Sequence, residues 1–140
     1  MKQVFRRVVL IDDEEIQNKI HKMIIQHYLG RHSIEIVSFT DPVKALLYLE
    51  DEDKNKIPTL VLLDLHMPYM DGWEFLDRLN PLDVTNTVIH IVSASILKAD
   101  VERGHKNSQI AGFTNKPLSS AVNGLLVATL ADIIRRQSLK

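Results

Sequence analysis

The sequence predicts an α/β fold: a doubly wound parallel sheet of five strands covered on both faces by five helices. Two observations carry that expectation. Five short apolar runs alternate with five helix-like segments, the pattern of right-handed strand–helix–strand crossovers. The run Val61-Leu62-Leu63 is apolar without alternation, as in a strand buried on both faces. At 140 residues the chain suits one domain with a single well-buried core.

Residues 5–11 form the first apolar, β-branched run, which stops at Asp12-Asp13. Residues 14–29 place Ile16, Ile20, Met23, Ile24 and His27 at helical spacing, predicting one apolar stripe packed on the sheet. Gly30 suits the end of that helix. The second strand is 34–39. Asp41 and Pro42 then announce a helix as N-cap and first helical residue, continued by 43–50. The charged run 51–56 lacks periodicity and is read as a solvated loop.

The third strand, 59–64, ends in Asp64 and a loop carrying Pro68 and Gly72. A short helix follows over 72–79, burying Trp73, Leu76 and Phe75, until Asn80-Pro81 stops it. The fourth strand is 88–92, closed by Ser93-Ala94-Ser95. A weakly amphipathic helix covers 96–106, with Gly104 in it or at its end. The fifth strand, 110–114, runs into Asn115-Lys116-Pro117, and a long striped helix covers 119–136.

Composition narrows the class of protein. The chain is 45% hydrophobic and 25% charged, as soluble globular domains are, and its net charge of −1 suggests neither nucleic acid nor anionic lipid as partner. It has no cysteine, which excludes disulfides, zinc–thiolate sites and cysteine nucleophiles. No segment approaches the roughly 20 apolar residues of a membrane helix, and the basic start gives way at once to Asp12-Asp13-Glu14-Glu15, unlike a secretory leader. The expected compartment is cytoplasmic, and the expected organisation is one domain over 1–140 with no output domain. Arg6, Arg7, Arg135, Arg136 and Lys140 read as terminal charges that solvate the ends.

Open parallel sheets bind ligands beyond the carboxyl ends of their strands. The polar residues there are Asp12 and Asp13, Asp64, Ser93 and Lys116. An Asp at a strand end often only caps the next helix, so Asp64 alone is ambiguous. Three carboxylates held together repel each other unless a cation joins them. Oxygen-only donors suit a hard ion, with Mg²⁺ the abundant candidate. With Ser93 as donor and Lys116 as a second cation, the set suits stabilisation of a phosphoryl group on a carboxylate.

Four motifs then resemble one family in order and nearly from end to end: Val-Val-Leu-Ile-Asp-Asp-Glu (8–14), Leu-Leu-Asp-Leu-His-Met-Pro-Tyr-Met-Asp-Gly (62–72), Val-Ser-Ala (92–94) and Asn-Lys-Pro (115–117). The chain resembles a single-domain response-regulator receiver of two-component signalling, the CheY-like fold with strand order 2-1-3-4-5. The resemblance implies Asp64 as phosphoacceptor, supplied by a histidine kinase or histidine phosphotransfer protein. It implies Mg²⁺ held by Asp12, Asp13, Asp64 and the backbone carbonyl of His66. It makes Ser93, the Ala94 backbone and Lys116 the groups that stabilise the phosphoryl oxygens, Ser93 with Phe113 the switch, and Lys116–Pro117 a cis peptide. The resemblance further implies that His66, two residues beyond Asp64, tunes the phosphate's lifetime.

The implied output is contact with a further protein target through the fourth helix, fifth strand and fifth helix, by a monomer or weak homodimer without enzymatic turnover. A phosphorelay intermediate, returning the phosphoryl group to a histidine, is the alternative. A Mg²⁺-dependent phosphatase with His66 as general acid and a phosphorylation-independent interaction module stand further off. The six histidines lack metal-ligand spacing. Phe113 also fits a plain core aromatic.

Overall fold

A computed structural model of the chain describes residues 5–29, 34–51, 57–79 and 86–116. Five parallel strands form one sheet in the order β2-β1-β3-β4-β5: β1 (Arg7–Ile11), β2 (Glu35–Phe39), β3 (Thr59–Leu63), β4 (Thr87–Ser93) and β5 (Ile110–Asn115). The connecting helices are α1 (Glu15–Leu29), α2 (Pro42–Glu50), α3 (Gly72–Leu79) and α4 (Lys98–Gly104). The expected fifth helix, and the Pro117 half of the expected cis peptide, lie outside the described residues.

The central strands carry apolar side chains on both sides because each side faces a core. Val9, Ile11, Val61, Leu63, Ile89 and Ile91 point to one, with Ala45 and Leu49 of α2 and Phe75, Leu76 and Leu79 of α3. Val8, Leu10, Leu60, Leu62 and Val92 point to the other, where Ile25 of α1 closes over them. In-register pairing of β1 with β3, from Arg7↔Thr59 to Ile11↔Leu63, brings both strands out at the same level. Asp41 caps α2 as expected, its carboxylate accepting from Val43 N–H at 2.9 Å.

Four expectations are corrected. The α1 stripe is out of phase: Ile16, Ile20 and Met23 are exposed, as is His27, and Asn18, His21 and Ile25 are buried instead, with Ile24 half-buried. Asn18 faces the sheet here because it donates to the carbonyls of Asp12 and Phe39 at the strand ends. Arg7 is no end charge either. It is buried in β1, with Nε donating to Thr59 Oγ1 at 2.9 Å and its guanidinium 4.8 Å from the Tyr48 ring centroid. The fourth helix is shorter than 96–106, because Leu97 N–H is taken by the Asp100 carboxylate at 2.8 Å. Trp73 is half-buried rather than buried, bridging α3 to α4 through Asp100 at 3.3 Å and under the Arg103 guanidinium at 4.6 Å.

His90 is 1% exposed on β4, its Nε2 2.6 Å from Thr114 Oγ1. Burial pushes its pKa from 6.5 down to about 4. The folded state therefore binds this proton more weakly than the unfolded state. The stabilisation is complete above pH 6.5 and lost as pH falls towards 4. Between about pH 7.5 and pH 5 the loss from this one group is about 2 kcal/mol. Urea denaturation at the two pH values should show a correspondingly smaller loss in His90→Gln; an equal loss would show that other groups set the acid limb.

Candidate functional site

The carboxyl edge of the sheet gathers side chains from four strand ends. Asp12 leaves β1 with its N–H donating to Phe39 O at 3.2 Å. Asn18, buried in α1, donates through Nδ2 to the carbonyls of Asp12 at 3.0 Å and Phe39 at 3.1 Å, tying the ends of β1 and β2. The Asp12 carboxylate accepts from Glu14 N–H at 3.0 Å and from Lys116 Nζ at 2.5 Å. Asp64 extends β3 by one more rung, its N–H on Ile11 O at 3.0 Å. Its Oδ1 accepts from Ser93 Oγ at 3.0 Å and His66 N–H at 3.2 Å, and its Oδ2 from Lys116 Nζ at 3.3 Å. Lys116 is delivered by the β4–β5 ladder, which continues with its N–H on Ser93 O at 2.9 Å.

The site is therefore assembled in the folded chain, with its charge out of balance. Asp12 and Asp64 are 2% and 5% exposed, and Asp13 stands further out. Oxygens of the three carboxylates lie within 4.8 Å of one another. Burial and the neighbouring Asp12 charge push the Asp13 carboxyl above its usual range. Burial pulls the Lys116 pKa down, but the hydrogen bond to Asp12 and the charges of Asp64 and Asp12 outweigh it and hold the ammonium above its ordinary value. One ammonium against three carboxylates leaves a deficit that a second cation would fill. An all-oxygen donor set of this kind fits a hard divalent ion such as Mg²⁺.

The loop after β3 shapes the mouth. Asp71, not Asp64, caps the next helix, its Oδ1 accepting from Glu74 N–H at 2.8 Å. That removes the capping reading of Asp64. Gly72 closes the loop with its N–H on Leu65 O at 2.9 Å, and a Cβ there would stand 2.7 Å from Asp64 O and 2.8 Å from Leu65 Cα. His66 is exposed, with Nε2 2.9 Å from Ser95 O. A carbonyl only accepts, so this nitrogen carries the proton and the ring bridges the loops after β3 and β4. Ala94 sits exposed at the start of that second loop. Phe113 packs half-buried on the α2/α3 core and fills a notch over Gly104, where any Cβ would run into its ring. Ser93, Lys116, Asp12, Asp13 and Asp64 are thus brought together.

Asn18 and His21 escape a reading of the sequence. His21 is 3% exposed, and burial lowers its pKa against the opposing pull of Asp12. Their spacing to Ile25 (i, i+3, i+7) is the trace they leave, and it is masked by polar residue types where apolar ones are expected.

The chain is similar to response regulators in sequence and in fold. A two-component response regulator from Cytophaga hutchinsonii has the same fold, with TM-score 0.76, 23% identity, and coverage of 94% of this chain and 99% of that one. A rice protein, two-component response regulator ORR41 of Oryza sativa subsp. japonica, is 30% identical over 87% of this chain and 91% of its own. A protein-glutamate methylesterase/protein-glutamine glutaminase of Anaeromyxobacter dehalogenans is 31% identical over 59% of this chain. The chain spans 22% of that protein's length and 50% of another rice relative, response regulator ORR1. The response regulator receiver domain family matches residues 8–125, and the chain belongs to that family. Among the described residues no helix is long and apolar enough to cross a membrane.

Proposed function

We propose that Asp64 accepts a phosphoryl group from a phosphohistidine on a histidine kinase or phosphotransfer protein. One observation carries this reading: a single carboxylate at the sheet edge is held at once by Ser93, Lys116 and the His66 N–H. A carboxylate oxygen of Asp64 attacks phosphorus in line, the P–N bond breaks, and its electron pair returns to the donor's imidazole. Ser93 Oγ, the Ala94 N–H and Lys116 Nζ take the phosphoryl oxygens. When held by Asp12, Asp13, Asp64 and the His66 carbonyl, Mg²⁺ neutralises charge on those oxygens. The exposed stripe Ile16, Ile20 and Met23 on α1 gives a protein donor an apolar surface to dock on. The same contact run in reverse serves a relay intermediate.

Capture of Ser93 by the phosphoryl group removes its hydrogen bond to Asp64 and frees space for Phe113, biasing the face of α4 and β5 towards a downstream protein. His66 screens the mouth and sets how fast water removes the phosphoryl group.

Acetyl phosphate with Mg²⁺ should label the wild type, as read by intact mass, and leave Asp64→Asn and an EDTA-treated sample unlabelled. Label on Asp64→Asn, or none on the wild type, ends the acceptor reading. After donor removal, His66→Ala should lose label several-fold faster; an equal decay rejects the screening role. Transfer of label from Asp64 to a histidine phosphotransfer protein separates the relay from a terminal regulator.

A further inference from the structure

Asn18 sits in α1 facing the sheet, 3% exposed, where apolar residues usually stand. Its Oδ1 is buried and, among the described residues, has no hydrogen-bond partner. A buried acceptor left unsatisfied is destabilising, so packing does not explain an amide here. Its donors do. Both hydrogens of Nδ2 are in use, on Asp12 O at 3.0 Å and on Phe39 O at 3.1 Å.

Those two carbonyls lie where the β1–β2 ladder runs out. Ile11↔Phe39 is its last pair, and Asp12 N–H still reaches Phe39 O at 3.2 Å. Beyond Phe39 the chain turns into α2, which Asp41 caps, and the Asn18 amide stands in for the next rung. Its hold is on one particular peptide. The Asp12 carbonyl belongs to the planar unit that joins Asp12 to Asp13, so fixing its oxygen fixes the direction in which the chain enters Asp13. The clamp is reciprocal. The Asp12 carboxylate accepts from Glu14 N–H at 3.0 Å, and Asn18 N–H closes on Glu14 O at 3.2 Å. Asp13 is carried between these anchored residues. The charges of Asp12 and Asp64 act against its ionised form, and oxygens of the three carboxylates lie within 4.8 Å of one another. On a loose peptide that repulsion would turn Asp13 outward, and an arriving ion would have to reorder it.

We propose that Asn18 is a positioning residue for the divalent-ion site: by fixing the Asp12–Asp13 peptide it keeps both carboxylates turned towards one ion before the ion arrives. The inference rests on the divalent-ion part of the acceptor reading and adds the residue that preorganises it. Asn18 acts through Asp12 and Asp13, not on the ion itself. The test reads the Kd for Mg²⁺ from the rise of Tm with Mg²⁺ concentration, starting from metal-free protein. Beside it stands the Mg²⁺ concentration that half-saturates labelling by acetyl phosphate. Asn18→Leu keeps the volume and removes both donors. Asn18→Ser stays polar but is too short to span two carbonyls, and it is read where the leucine variant fails to fold. Ile25→Val, buried on the same helix, loses packing but no donor and controls for general loosening.

The Kd and the half-saturating concentration should both rise about 10-fold or more in the Asn18 variants, as when the hydrogen-bond partner of a metal ligand is removed. The rate at saturating Mg²⁺ should stay within about threefold of wild type, because Asp64 keeps its bonds to Ser93 and Lys116. Ile25→Val should leave the Kd within about twofold. A Kd within about twofold of wild type in the Asn18 variants overturns the inference. So does an equal rise in Ile25→Val, which would trace the effect to α1 packing, or a loss confined to the saturating rate. Wild type that binds no Mg²⁺ removes the ion site and this inference together. Wild type that binds Mg²⁺ but takes no label removes the acceptor reading alone, because the shift in Kd is read without a phosphodonor.

Discussion

Lys116→Met is expected to lose about 3–5 kcal/mol of stability in metal-free buffer, the cost of removing one partner from a buried ionic set. The Lys116 ammonium is the cation that bridges Asp12 and Asp64, at 2.5 and 3.3 Å, and all three side chains are 10% exposed or less. Methionine keeps most of the aliphatic stem, so lost packing is a small part of the effect and lost charge the larger. A divalent cation should then matter more to the variant than to the wild type. Saturation to 100 Kd stabilises a protein by about 2.7 kcal/mol, enough to recover much of the deficit but not all of it. Labelling by acetyl phosphate should also slow by about 10²–10³-fold, the usual loss when one group that stabilises transition-state charge is removed.

The alkaline limb supplies an independent check on Lys116. Its folded pKa lies above the ordinary 10.5, so the stabilisation is complete below that value and is lost as pH rises through the folded one. The gap between wild type and Lys116→Met, measured by urea denaturation, should therefore persist to about pH 10 and close above it. A gap below about 1 kcal/mol at neutral pH would mean that the ammonium is solvated in solution and no part of the site.

The strand ends were legible because parallel strands buried on both faces leave unbroken apolar runs, and a polar residue that stops such a run stands out. Asp12, Asp64 and Ser93 are all found that way. The order of the strands was not in the residues themselves; it came with the family resemblance, which the sheet order bears out. The sequence leaves Asp64 open between cap and site, and the residue that caps α3 is Asp71. The α1 stripe misled for a physical reason. Its inward face carries Asn18, which satisfies the carbonyls of Asp12 and Phe39, and the buried His21, while Ile16, Ile20 and Met23 face outward. Hydrophobic periodicity finds the face a helix buries only when burial is its whole task. Arg7 shows the same limit: near the chain start it looks solvated, yet buried Thr59 and half-buried Tyr48 are partners of its guanidinium.

Gly72→Ala should cost about 1–3 kcal/mol and slow labelling about 10²-fold, although alanine is the better helix residue. The helical preference favours alanine by about 0.8–1.0 kcal/mol in a helix interior, and less at the first position of α3. Against it stands a Cβ at 2.7 Å from Asp64 O and 2.8 Å from Leu65 Cα. Both are backbone atoms, so no side-chain rotation relieves the overlap. Either α3 retreats, breaking the Gly72 N–H bond to Leu65 O, or the chain at Asp64 and Leu65 turns away. The second choice swings the Asp64 carboxylate out of reach of Ser93 and Lys116, whose contacts at 3.0 and 3.3 Å leave little slack. Both losses share one displacement, so stability and labelling should fall together in this variant, and urea denaturation beside acetyl phosphate labelling reads both. Full labelling with a stability change under about 0.5 kcal/mol would mean that the loop absorbs the extra methyl and that Asp64 does not depend on Gly72 for its position.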